Sequence, residues 1–142
     1  MKILLIQGAN MVALGKRDPK YYGTITREEL DTFLIEQHPD DELDIRYTNV
    51  EGEAINWIYE AENGDTQGLV MNPAGFLHSG YALRDCLEIV KLPHIEVHMS
   101  NIDQRGFHSV TAPSASGMIA GLGVQSYLLG IQAVKKIIAD QG

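Results

Sequence analysis

The run Glu96-Val97-His98-Met99-Ser100 sets a carboxylate, an imidazole and a hydroxyl at alternate positions. In an extended strand residues two apart share a face, so Glu96, His98 and Ser100 point the same way. A carboxylate beside an imidazole fixes its tautomer and favours its protonated form, which suits a general acid near neutrality. The same row also reads as a self-satisfied Glu–His pair, because polar groups on a buried strand need partners whatever their function. A second pair, Arg17 and Tyr22, lies in a segment bounded by Gly15 and Gly23. A phenol serves as a base near neutral pH only where a cation stabilises its phenolate, and Arg17 supplies one if the segment folds back. The plain alternative is a tyrosine packed under a loop with an arginine in solvent.

Other polar residues stand where predicted elements end. Asn10 follows the first apolar run, and Asn72 begins a turn, with His78 six residues later. Asp85 lies seven beyond His78 and next to Arg84, where it reads as a surface or subunit-interface ion pair. Metal chemistry finds little support: the histidines have no zinc-like spacing and the single cysteine, Cys86, stands alone. Gly15-Lys16 resembles part of a phosphate loop, but the spacing is wrong and Arg17 occupies the position of the metal-binding hydroxyl. No Gly-x-Ser-x-Gly elbow or Gly-x-Gly-x-x-Gly fingerprint is present.

The elements that must hold these residues alternate in type. Residues 2–7 are Ile- and Leu-rich without alternation, as in a strand buried on both faces. Residues 11–24 read as a long loop. Thr26-x-x-Glu29 is a capping box opening a helix whose apolar face is Leu30, Phe33 and Leu34. Residues 43–49 read as a second strand and 51–63 as a second helix, buried along Ala54, Ile55, Ile58 and Ala61, with Trp57 at its edge. A third strand at 67–71, a helix at 81–90, a fourth strand at 93–99, a short fifth at 118–120 and a closing helix at 123–139 complete the chain. The order predicts one α/β domain over residues 1–142, a flavodoxin-like, five-stranded parallel sheet with helices on both faces. Ligands in such sheets bind beyond the carboxyl ends of the strands, which selects residues 7–10, Asn72, Met99 and Ser100.

Composition narrows the partners. The formal charge of −8 comes without a basic run, so nucleic acid is not an expected partner. The first apolar run is too short for a signal peptide or a membrane span, and a lone cysteine suits a reducing compartment; the expectation is a cytoplasmic protein with no membrane association.

Four blocks together resemble the type II 3-dehydroquinate dehydratases. They are Gly8-Ala9-Asn10 with Leu14-Gly15-Lys16-Arg17-Asp18-Pro19-Lys20-Tyr21-Tyr22-Gly23; Asn72-Pro73-Ala74-Gly75 with His78 and Ala82-Leu83-Arg84-Asp85; Ile95-Glu96-Val97-His98-Met99-Ser100-Asn101-Ile102 with Arg105; and Gly121-Leu122-Gly123-Val124-Gln125-Ser126-Tyr127. The resemblance implies anti elimination of water from 3-dehydroquinate to give 3-dehydroshikimate, a step of the shikimate pathway and of quinate catabolism, with neither metal nor other cofactor. It implies Tyr22 as the base, Arg17 as the lid arginine keeping it ionised, and Asn10 as the residue holding a water against the enolate. His98 would be the general acid, oriented by Glu96. Asn72, Met99 and Ser100 would bind the carboxylate or a nearby hydroxyl, His78 and Arg105 would contact the substrate, and Asp85 would approach the site of a neighbouring subunit. It also implies a homo-oligomer, trimers assembled into a dodecamer.

The chain departs from the family pattern at three places. Gln7-Gly8-Ala9-Asn10 stands where Asn-Gly-Pro-Asn is usual, and Val12 where a second asparagine is common. The segment Arg105-Gly106-Phe107-His108-Ser109 is about three residues short and lacks the family's second loop arginine, and Asp103 stands where a histidine is common. The expectations are therefore a 3-dehydroquinate dehydratase first, a divergent dehydratase acting on a related cyclic hydroxy-keto acid second, and a non-catalytic carboxylate-binding relative third.

Overall fold

Strand β1, Lys2–Ala9, lies inside the sheet, one place from its edge. In the computed structural model, which describes residues 1–142, it is flanked by β2, Glu42–Tyr47, and β3, Gly68–Ala74. Strands β4, His94–His98, and β5, Gly117–Ala120, follow outward from β3. All pairings are parallel and the order is β2-β1-β3-β4-β5, the flavodoxin-like order expected from the sequence. The helices are α1, Pro19–Tyr22; α2, Arg27–Glu36; α3, Glu51–Asn63; α4, Phe76–Ser79; α5, Tyr81–Ile89; and α6, Val124–Gln141.

Each face of the sheet has its own core. Ile3, Leu5, Val70, Ile95 and Val97 face α2 and α6, meeting Leu30, Leu34, Tyr127, Ile131 and Val134. Leu4, Ile6, Leu69 and Met71 face α3 and α5, meeting Ala54, Ile58, Leu83, Cys86 and Leu87. Burial on both faces explains why β1 and β3 lack polar alternation. Gly130 lets α6 lie close on β4, since a Cβ there would come within 2.5 Å of Val97 Cγ1.

The differences from expectation lie at element ends. Residues 11–24 are not wholly loop: a 3-10 turn spans Met11–Ala13, and α1 is a single turn. Asp18 caps that turn, accepting from the Lys20 N–H, and Pro19 fills the first helical position, where no N–H is needed. Strand β2 stops at Tyr47 rather than at 49, because the Thr48 hydroxyl takes the Val50 N–H in a local turn. Strand β3 runs on through Pro73 to Ala74; its pairing with β4 has already ended at Met71, so the missing proline N–H interrupts nothing on that side. The capping box on α2 is formed in both directions, Thr26 Oγ1 with the Glu29 N–H and Glu29 Oε1 with the Thr26 N–H.

Candidate active site

The only non-glycine residues with positive φ are Asn10 at 76° and Ala74 at 48°, at the carboxyl ends of the neighbouring strands β1 and β3. Asn tolerates this left-handed region; for Ala it is strained, and strain of this kind gathers at sites that need a fixed geometry. Gly8 beside them has no alternative, because a Cβ would sit 2.1 Å from the Pro73 carbonyl oxygen. These turns form one wall of a cavity of about 190 Å³.

Asn10, Arg17, Tyr22, Asn72, His78, His98, Met99, Ser100 and Arg105 all line that cavity. Glu96 stands behind His98. A larger hollow of about 550 Å³ adjoins it and shares Tyr22, Met99 and Ser100, but includes neither His98 nor an arginine. Those three residues divide the two hollows, and only the smaller brings Tyr22 together with His98, Arg17 and Arg105.

The acid side is a closed network. His98 Nε2 lies 2.7 Å from Glu96 Oε2, and both residues are almost fully buried. Ser109 Oγ donates to the same carboxylate oxygen at 2.6 Å, and Thr111 Oγ1 donates to the other. Burial alone would push the Glu96 carboxyl up, but the hydrogen bonds from His98, Ser109 and Thr111 outweigh it and hold the group below its ordinary range. A carboxylate kept charged there fixes the orientation of the His98 ring. Ser100 does not join this network; it lies past the end of β4 and meets Arg105 instead.

On the base side two arginines converge on Tyr22. Arg17 lies over its ring, Cζ 3.9 Å from the centroid, with Nη1 3.5 Å from Met11 Sδ. The cation at the phenol oxygen is Arg105, whose Nη1 donates to Tyr22 Oη at 2.9 Å and to Ser100 Oγ at 3.0 Å. Arg17, expected as the cation beside the phenol, does lie against Tyr22, but its guanidinium meets the ring face, and the hydrogen bond to the oxygen comes from Arg105. Arg105 is held by stacking, 4.1 Å from the Tyr21 centroid and 4.6 Å from that of Phe107.

The remaining positions are fixed from several elements. The Asn10 N–H donates to Asn49 Oδ1 at 2.8 Å. Asn72 Oδ1 accepts the Ala74 N–H, and its Nδ2 donates to Tyr127 Oη. His78 meets Phe107 edge to face at 4.7 Å. Asp85 is apart from all of these: it is exposed on α5 and does not line the cavity. Nor does it pair with Arg84, which bonds Glu88 one turn on.

Four residues that matter to this geometry were not given a site role from the sequence. Ser109, Thr111, Tyr127 and Phe107 belong to loops or to buried faces, and most of their partners are remote in the chain. One signal was available for the first two: a buried strand carrying Glu96 requires donors from elsewhere.

The model of the family described as dehydroquinase class II matches residues 1–135. The chain belongs to the class II dehydroquinases. Among relatives, a 3-dehydroquinate dehydratase of Thermotoga petrophila is 43% identical over 145 aligned positions covering 99% of each chain. One from Pelotomaculum thermopropionicum is 42% identical over 138, covering 94% of this chain and 95% of the relative. The crystal structure of the type II dehydroquinase of Butyrivibrio crossotus superposes with a TM-score of 0.91 at 36% identity, covering 95% of this chain and 97% of that one. A 3-dehydroquinate dehydratase-like protein from Bifidobacterium longum gives 0.73 at 30%, covering 98% of each. In this class II dehydroquinase the short segment after Arg105 turns at Gly106, with φ +72°, and delivers Phe107 into the cavity.

Proposed function

We propose that this class II dehydroquinase is a 3-dehydroquinate dehydratase, a hydro-lyase that forms 3-dehydroshikimate and water. One observation carries the reading: Arg105 donates to Tyr22 Oη at 2.9 Å in the same small cavity that His98, backed by Glu96, lines. A proton next to a ketone is lost only to a positioned base with the enolate stabilised. Tyr22, as phenolate beside the Arg105 guanidinium, takes that proton, and the C–H electron pair becomes the enolate. Asn10, at the cavity wall, holds a water against the enolate oxygen. Collapse of the enolate forms the double bond and breaks the C–O bond on the opposite face, where the His98 imidazolium gives its proton to the departing hydroxyl. Glu96 holds that ring and stabilises its charge. Asn72 and Ser100, with the Met99 backbone between elements, receive the substrate carboxylate or hydroxyl, and His78 a further hydroxyl. What favours 3-dehydroquinate over a related ketone is the name shared by relatives that span almost the whole chain.

The same reading extends to the assembly. Trimers joined into a dodecamer would bring Asp85 to a neighbour's cavity, and its exposure on α5 beside the exposed Tyr81 and Ile89 supports such a surface. The step fits the shikimate pathway and quinate catabolism alike, in a cytoplasmic setting. No helix is long and apolar enough to cross a membrane.

The test is direct. Added 3-dehydroquinate should give rising ultraviolet absorbance from the conjugated product, and a folded protein that produces none overturns the reading.

A further inference from the structure

Gln7 is fully buried at the carboxyl end of β1, and its side chain is used by half. Oε1 accepts from Tyr127 Oη at 2.7 Å, while Nε2 is buried without any hydrogen-bond partner. A stranded buried donor is costly, and a residue serving only to fill space there would be apolar. The waste has a physical origin in the next two links of the chain. The Ala74 backbone N–H, at 2.9 Å, occupies Asn72 Oδ1. Asn72 must therefore turn its amide nitrogen toward Tyr127, and Nδ2 lies 2.9 Å from Oη. The Tyr127 oxygen accepts that bond, so its own proton needs an acceptor on the other side. Burial pushes the Tyr127 hydroxyl well up, so the proton stays on it. Gln7 Oε1 is the acceptor, and meeting that demand leaves Nε2 facing nothing.

We infer that Gln7 is a positioning residue: by taking the Tyr127 proton it fixes the direction of the relay Asn72–Tyr127–Gln7 and holds Asn72 as a donor at the cavity. Without that acceptor, the Tyr127 proton turns to the only other acceptor in the relay, Asn72 Oδ1, and competes with the Ala74 N–H for it. The amide then loses its single orientation. Met11 Sδ, 3.7 Å from Asn72 Nδ2 and itself at the cavity, is too weak an acceptor to restore it. The effect on turnover rests on the reading that Asn72 contacts the substrate; the effect on the amide does not.

Gln7→Met keeps the side-chain length and removes the acceptor. With 3-dehydroquinate it should raise KM about tenfold and leave kcat within about twofold, the pattern of a lost binding interaction equal in ground and transition states. Tyr127→Phe should give the same shift, and the double variant should be no worse than either single one, because both break one relay. A KM within twofold of the parent in Gln7→Met, or losses that multiply in the double variant, overturns the inference. If Gln7→Met does not fold, a normal KM in Tyr127→Phe overturns it equally. A second readout needs no turnover. The Asn72 side-chain amide protons, followed by NMR, should exchange slowly in the parent and at least about tenfold faster in Gln7→Met or Tyr127→Phe; unchanged exchange rejects the relay. A protein inactive on 3-dehydroquinate would sink the proposed activity and leave amide exchange to judge Gln7.

Discussion

Two arginines touch Tyr22, and their geometries assign them different work. Arg105 donates to the phenol oxygen, where charge appears when the base forms; Arg17 covers the ring face. Hydrogen bonds to charged groups contribute about 1.5–3 kcal/mol, so Arg105→Met should lower kcat/KM by about 10- to 100-fold. Arg17→Met loses a stacked cation and should cost less, about tenfold or under. Steady-state kinetics on the two variants decides the order, and a larger loss for Arg17→Met would reverse it. Tyr22→Phe and His98→Ala remove the base and the acid themselves and should each lower kcat by at least 10²–10⁴-fold with circular dichroism unchanged. Near-parental rates in either would remove that residue from the proposed chemistry. The sequence pointed to Tyr22, Glu96 and His98 because alternation along a strand and a glycine-bounded segment are local patterns. It pointed to Arg17 as the nearby cation but not to the bond from Arg105, because 83 residues separate Arg105 from Tyr22 and no periodicity reports a contact of that range.

At the scale of elements, the interiors were legible and the ends were not. The strands and long helices announce themselves by apolar runs and by the 3.6-residue stripe, and α3 occupies the predicted residues 51–63. The single turns α1 and α4 have no room for a stripe; Asp18-Pro19 marks the start of α1 only by cap chemistry. The segment after β4 was legible as short, yet not as to what it brings. It supplies Ser109 and Thr111 to Glu96 and thereby ties the 3-10 turn Ala112–Ser114 to the strand carrying His98. Thr111→Val keeps the shape and removes one of the donors to a fully buried carboxylate. Losing such a bond should cost about 1.5–3 kcal/mol of stability. It should also lower kcat, since a less firmly charged Glu96 holds His98 less well. Urea denaturation beside kinetics reads both, and a variant normal in the two would show that Ser109 and His98 suffice.

For the whole molecule, His94 sets a pH limit on stability that owes nothing to the cavity. It sits at the start of β4, 3% exposed, with neither ring nitrogen hydrogen-bonded. Burial pushes its pKa down from 6.5 to about 4, and the negative charge of Glu96 offsets only part of this. The folded value is below the unfolded one, so between those limits the unfolded chain takes up a proton that the folded chain refuses. Stability contributed by the neutral ring is complete above pH 6.5 and falls away as pH drops toward 4, by up to about 3 kcal/mol. Glu96 acts in the same direction but later: its folded pKa lies below 4.5, so its contribution is lost only as pH falls beneath that value. His94→Leu removes the first effect and spares the second. The variant should match or exceed the parent at pH 7, because two stranded polar atoms are gone. Its urea midpoint should then stay nearly level from pH 6.5 to 4.5, where the parent's declines, and fall below that as the parent's does. Midpoints measured at one fixed protein concentration keep any subunit association out of the comparison. Parallel curves for the two proteins across pH 6.5 to 4.5 would mean that His94 is not the group that limits the fold in acid.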